Sequence, residues 1–378
     1  MSDSYEVVPY EDRFKEQVLG LVSDLWGGTP EANRAYFTWK HERNPYTTSP
    51  LLYLALHCGH VVGMRSFFGV CWEGGTPRQR LTGLYADDMI IAPEHRNRGL
   101  VRRIMDSAFE GLSGLGYEYL FNLSAGPVTQ VSSLSMGWRS AGSMQPMRRG
   151  STPPEQRPSR LAPHLSTLPA PLLGVARRAR QFLRARREDS KGLAQGVNHR
   201  FRSPAISFGL EPRIDAMAAL VETADDDRVR HLRDRTYLAW RLQNPQRTYG
   251  YLFFDEDGLE GYLILQENAA GLADRRLNIV DWEGKRESVL GHLLEAAGQI
   301  AGDRSLWIWS RCLSSRKLAL LTGNGFQPQS FQGQSFRQPK LLVRALAGDR
   351  QSSDWLFAGR RLTDLTNWDI RMLDSMHG

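Results

Sequence analysis

The sequence predicts a chain of the α/β (α+β) class built from two similar halves, and three observations carry that reading. Short apolar runs bounded by turn residues alternate with segments whose apolar residues recur at helical spacing. The segment Tyr36-Phe37-Thr38-Trp39-Lys40-His41-Glu42-Arg43-Asn44-Pro45 is echoed by Tyr237-Leu238-Ala239-Trp240-Arg241-Leu242-Gln243-Asn244-Pro245, one residue shorter before Asn-Pro. Finally, the chain has 378 residues, more than the ~100 to 200 of one ordinary core.

In chain order, residues 5 to 9 read as a short strand. A helix follows, with Phe14, Val18, Val22 and Leu25 on one face and Leu19 and Leu21 widening it. The segment from Glu31 to Asn44 reads as a second helix that ends before Pro45, because the residue before proline disfavours the α region. For Trp39 on this helix a packing role is favoured, as for most helical aromatics. Residues 53 to 57 and 61 to 66, joined at Gly59-His60, read as a hairpin, and residues 72 to 75 as a turn.

Residues 84 to 109 then read as a buried strand, a tight turn and a helix. Met89-Ile90-Ile91 is the apolar centre of the strand, and Pro93 removes a ladder donor and stops it. Leu100, Ile104 and Ala108 recur at helical spacing, flanked by Val101 and Met105. The helix starts within Arg96-Asn97-Arg98-Gly99-Leu100-Val101. Its first amides have no internal partner and carry the positive end of the macrodipole, so a diphosphate is a natural ligand. Gly99 presents no side chain to block close approach, and Arg96 and Arg98 add charge.

A second strand is expected over residues 116 to 122, and Gly137-Trp138 closes a short helix. Residues 151 to 170 are rich in Pro and Ser and read as a loop, with a basic amphipathic helix over 172 to 187. Past the second copy of the repeat come a hairpin turning at Asp257-Gly258, a central strand over 277 to 282, a helix over 288 to 300, a strand over 306 to 310, and a helix over 314 to 321 closing on Gly325-Phe326. The expected organisation is a first domain over residues 1 to 150, a basic linker over 151 to 202, and a second, similar domain over 203 to 378.

Composition narrows the function. Hydrophobic residues make up 41% and charged residues 24%, as in ordinary globular proteins. No apolar stretch reaches the ~18 to 20 residues of a membrane span, and the start lacks a basic flank and apolar core, so a cytoplasmic protein is expected. The net charge of +7 is concentrated. Residues 151 to 202 hold eleven Lys/Arg against three acidic residues, a surplus of eight that leaves the remaining chain at minus one. A nucleic-acid face spread over the domains is therefore not expected. Cys58, Cys71 and Cys312 have no metal-binding or disulfide spacing, and no metal is expected.

At residues 96 to 101 the sequence resembles the GNAT family of acyl-CoA-dependent N-acyltransferases, whose signature after the central strand is Arg/Gln-x-x-Gly-x-Gly/Ala. Here Val101 stands at the last position. The resemblance extends over residues 5 to 150 through the hairpin, the strand ending in Phe121-Asn122 and the Gly137-Trp138 pair. More narrowly the chain resembles two-domain GNATs linked to polysaccharide or secondary-metabolite assembly, which carry Trp-Lys/Arg followed by Asn-Pro near the start.

This resemblance implies two GNAT-like domains, each a mixed, mostly antiparallel twisted sheet flanked by helices. It implies acetyl-CoA or another short acyl-CoA as cosubstrate, with the diphosphate held by Arg96, Asn97, Arg98, Gly99, Leu100 and Val101, and the pantetheine arm docked along Ile90 and Ile91. It places an acidic residue at Asp88 in the cleft as base, with Asp87 in reserve; strict alternation puts the two on opposite faces of the strand. The family's proton-donating tyrosine corresponds to Ser133, so water, Tyr117 or Tyr119 would substitute. Asn122 either orients the acceptor or satisfies backbone groups. The implied activity is N-acetylation of a primary amine on a small polar acceptor, an amino sugar or secondary metabolite. Two alternatives stand beside it: a CoA-sensing partner subunit without catalysis, and a Fem-type aminoacyl-tRNA-dependent transferase. In the second half Glu283-Gly284-Lys285-Arg286-Glu287-Ser288 replaces the signature, and its two glutamates would repel a diphosphate, so that domain is expected to bind no CoA.

Overall fold

The computed structural model describes residues 5–150, 192–223, 226–267, 276–329, 339–346 and 355–375. The basic helix expected over 172 to 187 lies outside these residues. The first half runs β1 (Tyr5–Pro9), α1 (Lys15–Trp26), α2 (Pro30–Phe37), β2 (Leu51–His57), β3 (His60–Gly74), β4 (Gln79–Ile91), α3 (Leu100–Gly114), β5 (Tyr119–Asn122), α4 (Pro127–Ser135), β6 (Arg139–Ser143) and β7 (Pro146–Arg149). The second half runs β8 (Ile206–Gly209), α5 (Ile214–Glu222), β9 (Val229–His231), α6 (Arg235–Arg241), β10 (Thr248–Glu256), β11 (Gly258–Glu267), β12 (Arg276–Gly284), α7 (Glu287–Ala301), β13 (Ser305–Trp309), α8 (Ser315–Gly323) and β14 (Gln327–Pro328). The short strands β15 (Lys340–Ala345), β16 (Leu356–Phe357), β17 (Arg360–Arg361) and β18 (Trp368–Asp369) complete it.

Two twisted mixed sheets result. The first has the order β1-β2-β3-β4-β5-β15-β6, with β9 against the far end of β3 and β18 against β9. The second has the order β14-β7-β13-β12-β11-β10-β8. Read from opposite ends, the orders match position by position, and in each sheet the penultimate strand comes from the other half. Thus β15 lies between β5 and β6, and β7 lies between β13 and β14. Residues 146–149 are therefore built into the second sheet, and residues 340–345 into the first. The division at 150 and 203 remains a proposal about folding units.

The halves share a core. Trp39, Trp72, Phe121, Tyr237, Trp240, Trp309 and Trp368 belong to one buried apolar cluster. Trp39 and Trp240, the matched tryptophans of the repeat, stack with centroids 5.0 Å apart and planes 10° apart. Each indole donates to the other's backbone carbonyl, Trp39 Nε1 to Trp240 at 2.7 Å and Trp240 Nε1 to Trp39 at 2.8 Å. That reciprocity marks a local two-fold axis between the copies, and it satisfies two buried indole donors without water.

Most element boundaries follow the apolar periodicity, with local departures. Leu25 is exposed at the end of α1. Trp72 and Glu73, expected in a turn, lie within β3, and the chain reverses only after Gly74. The segment from Trp355 onward lies against both sheets: Trp368 meets Trp72 and Phe121 edge-on, and Arg371 donates to the Trp282 carbonyl of β12.

Candidate active site

The helix start expected to face an anion is left-handed at two positions. Asn97 and Gly99 both adopt left-handed backbone, φ 60° and 72°, and Gly99 is the N-cap of α3. A Cβ at Gly99 would meet nothing within 4 Å, so the space in front of the first amides is open. Val101 packs partly against the cluster formed by Leu100, Ile104 and Met105, which turns its side chain toward the core and leaves its amide in place. Arg98 is exposed, with its guanidinium 5.8 Å from the Tyr5 ring centre. Arg96 is exposed too, but its Nε donates to the Ile91 carbonyl at 3.0 Å, so part of its donor set is spent on closing the strand end.

The sheet opens beside that helix. β4 and β5 run parallel and pair only at Leu84 with Leu120 and Tyr85 with Phe121, yet β4 continues to Ile91. Past Tyr85 the two strands part, and Ile90 and Ile91 lie on the diverging stretch. Asn122 sits at the root of this fork, 2% exposed. Its Nδ2 donates to the Ala86 carbonyl at 2.7 Å, and its Oδ1 accepts from the amides of Ser124 and Ala125 at 2.9 and 2.7 Å. Of the two roles open to Asn122, the contacts seen are those of a backbone clamp.

The carboxylates of β4 depart from the expected alternation. Arg65 pairs with Met89 and Ser66 with Asp87, so Asp88 is the extra residue of a β-bulge, with φ 35°. A bulge resets the side-chain phase, and both carboxylates reach one cation instead of facing opposite ways. That cation is Lys40, fully buried, with Nζ 2.7 Å from Asp87 Oδ2 and 2.5 Å from Asp88 Oδ2. Asp88 also accepts from Trp26 Nε1 and Ser66 Oγ, each at 3.1 Å, and Asp87 accepts from Ser124 Oγ at 2.7 Å. Asp88 is 6% exposed and holds three donors, which is not the open cleft position the resemblance implied for a base.

Nothing in the sequence marks Lys40, because a lysine reads as a solvated face. The structure puts it on a π-turn, Thr38–Glu42, where the slower rotation per residue buries Trp39, Lys40 and His41 in succession. Burial opposes the Lys40 charge, but the two carboxylates outweigh it and hold its pKa well above the ordinary value. Arg65, also buried, is lowered to about 10 by desolvation against the pull of Asp87 and Asp88. Two cations thus face two anions, and the rings of Tyr36 and Phe68 lie 5.4 and 5.5 Å from Lys40 Nζ. The remaining expected residue, Ser133, lies in α4, 4% exposed, where its carbonyl accepts from the Trp138 amide after the left-handed Gly137.

The architecture is shared with known structures. A probable N-acyltransferase from Enterococcus faecalis V583 superposes with a TM-score of 0.59 at 10% identity, covering 91% of this chain and 72% of that one. A GCN5-related N-acetyltransferase (GNAT) from Anabaena variabilis gives 0.56 at 12% identity, covering 91% and 73%. A tandem GNAT protein from the clavulanic acid biosynthesis pathway gives 0.50 at 15% identity, covering 91% and 99%. The fold is a tandem GNAT fold. No protein-family model matches the sequence. No curated protein matches it either.

Within this pair of GNAT-like folds the second copy repeats the frame with different side chains. β12 and β13 pair at three positions ending at Asn278 with Trp307, and then part, as β4 and β5 do. The helix beyond, α7, opens on Arg286 in extended conformation with no left-handed glycine before it. Glu283 does not face that helix start. Its side chain is buried against Arg233, Lys317 and Arg371 at 3.3, 3.0 and 3.5 Å. Although burial opposes ionisation, those three cations hold its carboxyl down to about 2. Repulsion of a diphosphate at α7 is thus left to Glu287, while Lys285 and Arg286 are paired with Glu260 and Glu256. Arg233, Asp281, Asp369 and Arg371 close the buried network, and Arg371 covers β12 beyond the fork by donating to Trp282.

No helix among the described residues is long and apolar enough to cross a membrane, and these residues contain no group of three metal-ligating side chains.

Proposed function

We propose that the chain is an acyl-CoA-dependent N-acyltransferase, using acetyl-CoA or another short acyl-CoA, and that the first half alone binds the cosubstrate. The observation that carries this is the pairing of an open fork between β4 and β5 with a left-handed glycine N-cap at α3. The pantetheine arm adds to the free edge of β4 near Ile90 and Ile91 as a strand would. The diphosphate meets the first amides of α3 past Gly99, with Arg98 and the free donors of Arg96 adding charge. The acceptor is the primary amine of a small polar molecule, an amino sugar or secondary metabolite, acting in the cytoplasm.

In this reading Asp88 and Asp87 hold the bulge and the charge balance around Lys40. Asp88 fixes the fork's geometry, and a proton acceptor is needed elsewhere. The full use of Asp88, Asp87 and Asn122 inside the protein also favours a second reading, a CoA-binding partner subunit that does not turn over. Thiol release from acetyl-CoA with a panel of primary amines separates the two: an enzyme releases CoA thiol in proportion to amine, whereas a sensor binds CoA by calorimetry and releases none.

A further inference from the structure

A cavity about the size of one water molecule lies at the root of the fork in the first half. Tyr85 and Asp87 of β4, Ser124 beyond β5, and Asp374 and Ser375 of the C-terminal segment line it. Tyr85 is 3% exposed, and its hydroxyl has no hydrogen-bond partner among the described residues, an arrangement that a bound polar group would relieve. Asp374 is 4% exposed. One of its oxygens accepts from the Arg371 amide at 2.8 Å, and the other faces the Tyr237 hydroxyl at 3.4 Å, near the limit of a hydrogen bond. The Arg371 guanidinium is directed to Asp369 and Glu283 instead. Asp374 is thus the cavity's carboxylate that lacks a cationic partner at hydrogen-bond distance among the described residues.

We propose that Asp374 is a catalytic residue of the first half: it receives the acceptor's ammonium group in this cavity and takes its proton. This rests on the acyl-transfer reading above. The cavity admits an amine head and leaves the rest of the acceptor outside. The Asp374 carboxylate removes one proton from the ammonium, and the amine lone pair attacks the thioester carbon. The new C–N bond forms, the C–S bond breaks with its electron pair going to sulfur, and the second nitrogen proton neutralises the thiolate. The products are an amide and CoA thiol, and Asp374 returns its proton to solvent.

The surroundings suit that role. Burial pushes the Asp374 carboxyl up to about 7, against the Arg371 amide and the charge of Arg233. Tyr85 and Asp87 on β4, Tyr237 and Arg241 on α6, Arg233 ahead of α6, Asp281 on β12 and Asp369 on β18 are the ionisable groups around it. A carboxyl poised there is a base above neutral pH and is protonated below it.

The test uses the full-length chain, acetyl-CoA, and glucosamine as the probe amine, following thiol release across pH. The wild type should show kcat/KM rising through about pH 7, and Asp374→Asn should lose about 10² or more of it together with the rising limb, while CoA affinity stays unchanged. A variant that keeps the wild-type rate or the wild-type limb overturns the inference alone. If Asp374→Asn does not fold, Tyr85→Phe decides: it breaks no contact seen in the protein and should raise the KM for glucosamine about fivefold. An unchanged KM overturns the inference. Absence of thiol release from the wild type with glucosamine and with every other amine of the panel overturns the acyl-transfer reading, and the inference with it.

Discussion

In the first half α3 begins on a left-handed glycine with open space before it, and the diverging edge of β4 faces that space. The second half has the same strand order, the same fork and a helix in the same place, yet α7 begins on Arg286 and β12 is covered by Arg371. The two also differ in the buried charges behind the fork. One has Lys40 between Asp87 and Asp88; the other has an extended network through Arg233, Asp281, Glu283, Lys317, Asp369 and Arg371. Duplication preserved the packing frame, and the two sites diverged where a cosubstrate would meet backbone.

The comparison is sharpened most strongly by removing the central cation from each half. Lys40→Met leaves two buried carboxylates without their shared partner and should destabilise the protein by about 3–5 kcal/mol, with Arg233→Met costing a similar amount in the second half. Denaturant titration measures both. Recovery of stability in Lys40→Met combined with Asp87→Asn and Asp88→Asn would confirm that the cost is electrostatic.

Next in size is the shared axis. Trp39→Ala and Trp240→Ala should each cost about 3 kcal/mol or more, and the double variant should cost clearly less than the sum, because either change alone already breaks the stack that both rings share. Strict additivity in unfolding experiments would mean that the two tryptophans act independently.

Gly99→Asp places a side chain and a negative charge at the start of α3 and should lower acetyl-CoA affinity at least about a hundredfold, ~2.7 kcal/mol, without unfolding the chain. Glu287→Lys, which makes the start of α7 more cationic, should create no second site, because the left-handed glycine and the open edge are still missing there. Calorimetry reads both.

The smallest effect concerns acid. Burial lowers His41 and His231 to about 3, so each is neutral when folded and takes up a proton on unfolding below its ordinary pKa. The folded state then binds fewer protons than the unfolded one, so stability is intact above about pH 6.5 and falls as pH drops toward 3, by ~2 kcal/mol per histidine at pH 5. His41→Leu should flatten that acid limb in a stability series; an unchanged limb would mean that His41 is not desolvated.

Strands, helices and the duplication were legible because each is a local pattern: the apolar stripe of α3 runs through Leu100, Ile104 and Ala108, and the tryptophans of the repeat meet in space. The exchange of β7 and β15 was not legible, since nothing in four or six extended residues says which sheet they will join. Asp88 was misphased for a related reason, because a bulge is an insertion relative to a partner strand and leaves no mark on its own strand. Lys40 is hidden in the sequence because charge implies exposure until its counter-ions are located, and these lie 47 and 48 residues away. The position of Glu283 alone points to a helix start, whereas its partners on α8 and the C-terminal segment turn it inward.

The asymmetry of the two halves is tested most directly by counting sites. Titration of the full-length chain with acetyl-CoA, repeated on Gly99→Asp, should give one site per chain and then none. Two sites in the wild type, or one that survives the substitution, would show that the second half still binds the cosubstrate and would contradict this account.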